Sequence, residues 1–172
     1  MSGGAAYAYG AGTAHRGGGI RRPKRWYNDT VDMPESKPAP PLPAATSEAI
    51  TNNVRVEVES LYRSDQSQPF QDHWVFQYTI RITNEGHETV QLLSRHWIIT
   101  DASNHTDEVK GPGVVGEQPI LIPGESFEYS SSCHLKTSAG VMRGTYQMVT
   151  EDGEHFDVEI APFALHEPYT VH

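Results

Sequence analysis

Between residues 74 and 83 the chain changes face at every step. Trp74, Phe76, Tyr78, Ile80 and Ile82 fall on one side; Val75, Gln77, Thr79, Arg81 and Thr83 fall on the other. A period of two is the signature of a half-buried β-strand. The same rhythm recurs. Val54, Val56 and Val58 alternate with Arg55, Glu57 and Glu59. A third strand is expected over about 90–100, and Phe127, Tyr129 and Ser131 alternate after the turn pair Pro123-Gly124. Tyr146 and Met148 mark a later strand, and Phe156, Val158 and Ile160 follow the hairpin signal Asp152-Gly153. Asn84-Glu85-Gly86 is turn chemistry. No segment carries a helical period. Seven or eight short strands within some 115 residues predict an antiparallel β-sandwich.

Upstream the composition is different. Residues 1–20 are mostly Gly, Ala, Tyr and Ser, and residues 33–45 hold Pro34, Pro38, Pro40, Pro41 and Pro43. Such a stretch buries too little apolar surface to offset its ordering entropy. The expected organisation is therefore an arm over residues 1–50 and a sandwich over residues 51–172. Fully extended, the arm reaches on the order of 160 Å. The charge divides the same way. The whole chain is at −9, but residues 1–50 carry +2 and residues 51–172 carry −11. An acidic body repels phosphate backbones, which argues against general nucleic-acid binding by the sandwich.

The basic character of the arm is concentrated in Arg21, Arg22, Lys24 and Arg25, with Trp26 and Tyr27 directly after them. Three readings fit: an inert tail, a docking arm that orders on a partner, and a mitochondrial presequence. Residues 1–28 contain arginines and no acid, but no clear amphipathic helix. A tryptophan gains nothing in a solvated tail, which favours docking onto an acidic protein surface or, in a ribosome-like assembly, onto RNA.

No apolar run is long enough to span a membrane, and no apolar stretch at the start predicts a signal peptide. Cys133 is the only cysteine, which excludes an intrachain disulfide and fits a reducing compartment. The expected location is intracellular: cytoplasmic, cytoskeletal assemblies included, or mitochondrial.

Residues 111–116 read Gly-Pro-Gly-Val-Val-Gly, the spacing of a dinucleotide-binding loop. That chemistry needs a helix immediately after the loop, and Pro119 and Pro123 forbid one. Two readings remain. The glycines supply positive φ in a tight connection between strands, or the amides of Gly111, Gly113, Val114, Val115 and Gly116 cradle an anion. Pro112 already removes one donor from such a cradle.

No catalytic constellation is expected. Cys133 and His134 are adjacent, so a strand sends them to opposite faces, and Cys133 reads as a small core residue. In 95–97, alternation places Arg95 and Trp97 on one face and His96 on the other. Trp97 reads as core. Arg95 suits a surface ion pair or an anion near the glycine loop. The nine histidines form no ligand spacing. Asp101, His105, Asp107 and Glu108 crowd one loop, which reads as solvated polar surface. No metal and no cofactor are expected.

Several stretches together carry a family resemblance. They are residues 75–84 (Val-Phe-Gln-Tyr-Thr-Ile-Arg-Ile-Thr-Asn), 90–100 (Val-Gln-Leu-Leu-Ser-Arg-His-Trp-Ile-Ile-Thr) and 108–119, which include the glycine loop. Ile122-Pro-Gly-Glu125, residues 140–148 and residues 156–165 continue the match. Residues 54–172 thereby resemble ApaG-domain proteins, whose short bacterial members lack the arm. The resemblance implies an immunoglobulin-like or fibronectin-III-like sandwich and a non-enzymatic role. In eukaryotes such domains occur as interaction modules, in an F-box protein and a polymerase-delta-interacting protein. In bacteria the family is linked to divalent-cation phenotypes, and its glycine loop is associated with pyrophosphate, which would fall on Gly111, Gly113 and Gly116. The function expected is a protein-binding or structural subunit of a larger protein assembly, docked through its arm. The alternative is a small-molecule protein that holds a phosphate, a nucleotide or a divalent-cation-linked ligand on the loop.

Overall fold

The computed structural model describes residues 45–168. The basic cluster Arg21, Arg22, Lys24, Arg25, Trp26 and Tyr27 lies outside the described residues, as do residues 169–172. Among the described residues, nine strands form two antiparallel sheets. The first sheet has the order β1-β2-β3-β7, built from β1 (Thr46–Thr51), β2 (Val54–Tyr62), β3 (Trp74–Asn84) and β7 (Ser126–Leu135). The second has the order β5-β4-β8-β9, built from β4 (Val90–Asp101), β5 (Thr106–Pro112), β8 (Ala139–Thr150) and β9 (His155–His166). The short β6 (Ile120–Leu121) also pairs with β4, beyond the end of β5. The one helical element among the described residues is a 3-10 turn, Pro69–Gln71.

Period two decides what is buried. Val54, Val56 and Val58 of β2 and Phe76, Tyr78, Ile80 and Ile82 of β3 enter the core, while Glu57 and Arg81 pair on the outer face. The second sheet answers with Leu92, Trp97, Met142, Tyr146, Val158 and Ile160. At the centre, Trp97 meets Tyr78, Phe163 and Tyr146 at ring-centroid distances of 5.5, 6.1 and 6.3 Å, each near edge-on. That arrangement suits the quadrupoles of aromatic rings.

The first sheet begins earlier than the sequence reading placed it. Residues 46–50, assigned there to the arm, form β1 and pair with β2 in register, Thr46 opposite Glu59 and Thr51 opposite Val54. The turn between them is Asn52-Asn53, both at positive φ (46° and 63°). Two positive φ values are what a two-residue hairpin turn demands, and asparagine tolerates them.

One buried polar residue ties the loops together. Asn84 is 1 % exposed. Its Nδ2 donates to Glu88 O and Leu121 O at 2.7 and 2.9 Å, and its Oδ1 accepts from the Gly86 amide at 3.0 Å. Its own backbone N–H donates to Glu125 O. The turn after β3 and the approach to β7 are thus fixed by one fully satisfied amide.

Candidate functional site: an open-sided cleft

Along one side, the two sheets are laced together by hydrogen bonds. There Ser47 Oγ donates to Ala161 O, Ser60 Oγ donates to Ala164 O, and the Glu159 amide donates to Thr51 Oγ1. The opposite side is flanked by the edge strands β5 and β7, and a cleft of about 790 Å³ opens between them. Its size falls within the range of small-molecule sites. The register explains its lining. On the inner face of the second sheet, Arg95 stands opposite Gly111, Trp97 opposite Val109 and Ile99 opposite Asp107. From the first sheet come Tyr78, Tyr129, Ser131 and Cys133. The cleft therefore has a cationic end at Arg95 and an acidic end at Asp107.

The glycine loop closes the cationic end. The Gly113 amide donates to Leu93 O at 2.8 Å; Val114 N–H donates to Glu117 O and Glu117 N–H to Val114 O, at 2.8 and 2.9 Å. That reciprocal pair encloses Val115 and Gly116, at φ 45° and 80°, the signs a type I′ turn requires. Gly113 sits at φ 58°, and a Cβ there would lie 2.2 Å from Glu117 O. So the loop is a tight connection between β5 and β6. Of the residues proposed to cradle an anion, Gly113 and Val114 have their N–H groups engaged internally. Among the described residues, Val115 and Gly116 donate no backbone hydrogen bond. Gly111 serves a different purpose: a Cβ there would stand 3.2–3.3 Å from three guanidinium atoms of Arg95, which lies across it.

Arg95 makes no ion pair with a carboxylate among the described residues. Instead its Nη1 donates to Pro112 O and Gly113 O at 3.0 and 2.8 Å. The ion pair expected from the sequence is thus replaced by two neutral carbonyls, which leave the positive charge uncompensated. His96 points outward, as alternation predicts, and lies 2.8 Å from Glu108.

Deeper in the core, the hydroxyls of Tyr129 and Tyr146 share a hydrogen bond of 2.5 Å. Burial pushes the ionisation of both well above the ordinary tyrosine range, opposed for each by the charge of Arg95. Burial raises Tyr78 as well, against a hydrogen bond to Ser131. Cys133 is buried, and its thiol is pushed up to about 11 by burial and then by Asp107. A thiol so disposed is a poor nucleophile at neutral pH. His134, on the opposite face, lies 2.9 Å from His73.

The acidic loop residues do not converge. Asp101 Oδ1 accepts from the amides of Ser103 and His105, His105 reaches Asp107 at 3.1 Å, and Glu108 turns to the other face. Among the described residues no three His, Cys, Asp or Glu side chains gather to hold a metal ion. Nor is any helix there long and apolar enough to cross a membrane.

The sequence reading missed the cleft itself. Its clue was an arginine on the same face as a core tryptophan. A charged side chain directed inward from a central strand marks a place where the interior opens.

Comparison with known proteins agrees with this frame. The family described as the ApaG domain matches residues 64–150. A Protein ApaG from Paramagnetospirillum magneticum is 52 % identical over 119 residues, spanning 69 % of this chain and 92 % of that protein. One from Nitrosomonas eutropha is 54 % identical over 120 residues, spanning 70 % and 94 %. A crystal structure of an ApaA protein from Bordetella pertussis is 48 % identical at a TM-score of 0.66, covering 76 % of this chain and all of that one.

Proposed function

The chain belongs to the ApaG-domain family, and from that premise we propose that it is a non-enzymatic binding module, a subunit of a larger protein assembly docked through its N-terminal arm. One observation carries the binding role: the sandwich is laced shut along β1 and β9 and open along β5 and β7. A rigid body with one open side presents a surface without reorganising, which lowers the cost of association. Val109 and Val115, 41 % and 56 % exposed, supply apolar contact at that opening.

The arm supplies the second half. It carries the basic residues and an aromatic pair, while the body is strongly acidic. Complementary charge steers encounter, and a tryptophan anchors it. Deleting residues 1–44, which spares β1, tests this role. The truncated chain is expected to melt within a few degrees of the full chain and to leave its native complex. Retention in the complex would refute docking by the arm.

A second reading puts a phosphate or nucleotide on the glycine loop. The free amides of Val115 and Gly116 beside Arg95 favour it. Calorimetry with pyrophosphate, ATP and diadenosine tetraphosphate, with and without magnesium, decides it; no heat at millimolar ligand rejects it.

A further inference from the structure

We propose that the cleft between β5 and β7 is a binding site for a small organic carboxylate with an aromatic body, held by Arg95 and Trp97. Arg95 and Trp97 both hold unused donors. Of the five N–H donors of Arg95, two on Nη1 are engaged by Pro112 O and Gly113 O. Nε–H and the two N–H of Nη2 have no partner among the described residues. Trp97 is only 2 % exposed, lines the same cleft, and its Nε1–H is unpartnered. A buried donor without an acceptor is costly. Three unused donors on Arg95, with an uncompensated positive charge among them, and an unpartnered indole N–H on a second lining residue call for an anionic acceptor.

The geometry selects the kind of anion. Nε–H and Nη2–H form the fork that grips a carboxylate through two parallel bonds. The site offers one cation, while Asp107 lines the same cleft and the body around it carries −11. A multiply charged phosphate meets repulsion that a monoanion largely escapes. The amides of Gly113 and Val114, two that a phosphate would use, are already bonded to Leu93 O and Glu117 O. Beside Arg95 and the polar residues Asp107, Ser131 and Ser132, the lining has an apolar share: Tyr78, Trp97, Val109, Val115 and Met142. A flat, apolar body beyond the carboxylate fits that surface.

The site does not depend on docking by the arm, and the test separates the two. The full chain is labelled with nitrogen-15 and titrated with phenylacetate, 3-phenylpropionate and indole-3-acetate, then with the matched amides and with pyrophosphate. The three tryptophans give three indole N–H signals, and Trp26→Phe and Trp74→Phe identify that of Trp97. The acids are expected to shift the Trp97 signal with a Kd of about 1 mM or tighter. The amides and pyrophosphate should bind at least about tenfold more weakly. Arg95→Gln, which keeps donors for the two carbonyls but loses the charge, should weaken the acids by about tenfold or more at an unchanged melting temperature. Arg95→Lys, which keeps the charge but loses the fork, should fall between. Should Arg95→Gln unfold, the acid-to-amide ratio on the unaltered protein decides alone. No shift by about 10 mM acid, equal binding of acids and amides, or tighter binding of pyrophosphate would overturn the proposal.

Discussion

Tyr129 of one sheet and Tyr146 of the other join their hydroxyls at 2.5 Å inside the sandwich, and Tyr129 also lines the cleft. It is a polar contact surrounded largely by apolar side chains. Each hydroxyl satisfies the other, so neither is left stranded.

Removing one hydroxyl strands its partner. Tyr129→Phe or Tyr146→Phe should each cost about 1–3 kcal/mol. The double variant should lose less than the sum, because no buried hydroxyl then lacks a partner. Urea unfolding of the four proteins measures the coupling as a double-mutant cycle. Strict additivity would mean that the bond contributes nothing.

The same pair sets an alkaline limit. Both tyrosines ionise in the fold above their ordinary value of 10.0. For a group whose folded pKa is raised, the stabilisation is full below the unfolded pKa and is lost as pH rises through the folded one. Stability should therefore hold up to about pH 10 and fall steeply above it. Chemical unfolding between pH 8 and 12 checks this. The double phenylalanine variant should show a shallower alkaline loss.

The loop glycines should differ sharply in tolerance. A Cβ at Gly113 meets Glu117 O at 2.2 Å, at a positive φ; a Cβ at Gly116, also at positive φ, meets nothing within 4 Å. Gly113→Ala should cost more than about 2 kcal/mol and Gly116→Ala only about 1. Equal losses in thermal melts would contradict the assigned turn.

Val115 occupies a turn position at φ 45° that β-branched residues avoid. Asparagine is the residue such a turn prefers. Val115→Asn should raise stability by about 0.5–1 kcal/mol. A lower melting temperature would show that the side chain packs more than its 56 % exposure suggests.

The strands and their faces were legible because period two is a local signal that burial enforces. β3, β4 and β7 lie where alternation puts them, and Trp97 is central as expected. β1 was not legible from hydropathy: Thr46–Thr51 is short, half-exposed and on a sheet edge. Asn52-Asn53 was the available clue, as a hairpin turn. The cleft was hidden for another reason. It arises where β5 and β7, the edge strands of different sheets, fail to meet. Only Arg95, inward on a core face, pointed to it. The glycine loop misled by its spacing; its meaning came from which amides were already bonded.

The central claim is that this chain works as a bound subunit. Native extract should be fractionated by size under gentle conditions, and the full-length chain followed across the column. The account predicts elution with a larger assembly, well above its own 19.1 kDa, and a shift to the free position when residues 1–44 are deleted. Elution of the full-length chain as a free monomer would contradict it.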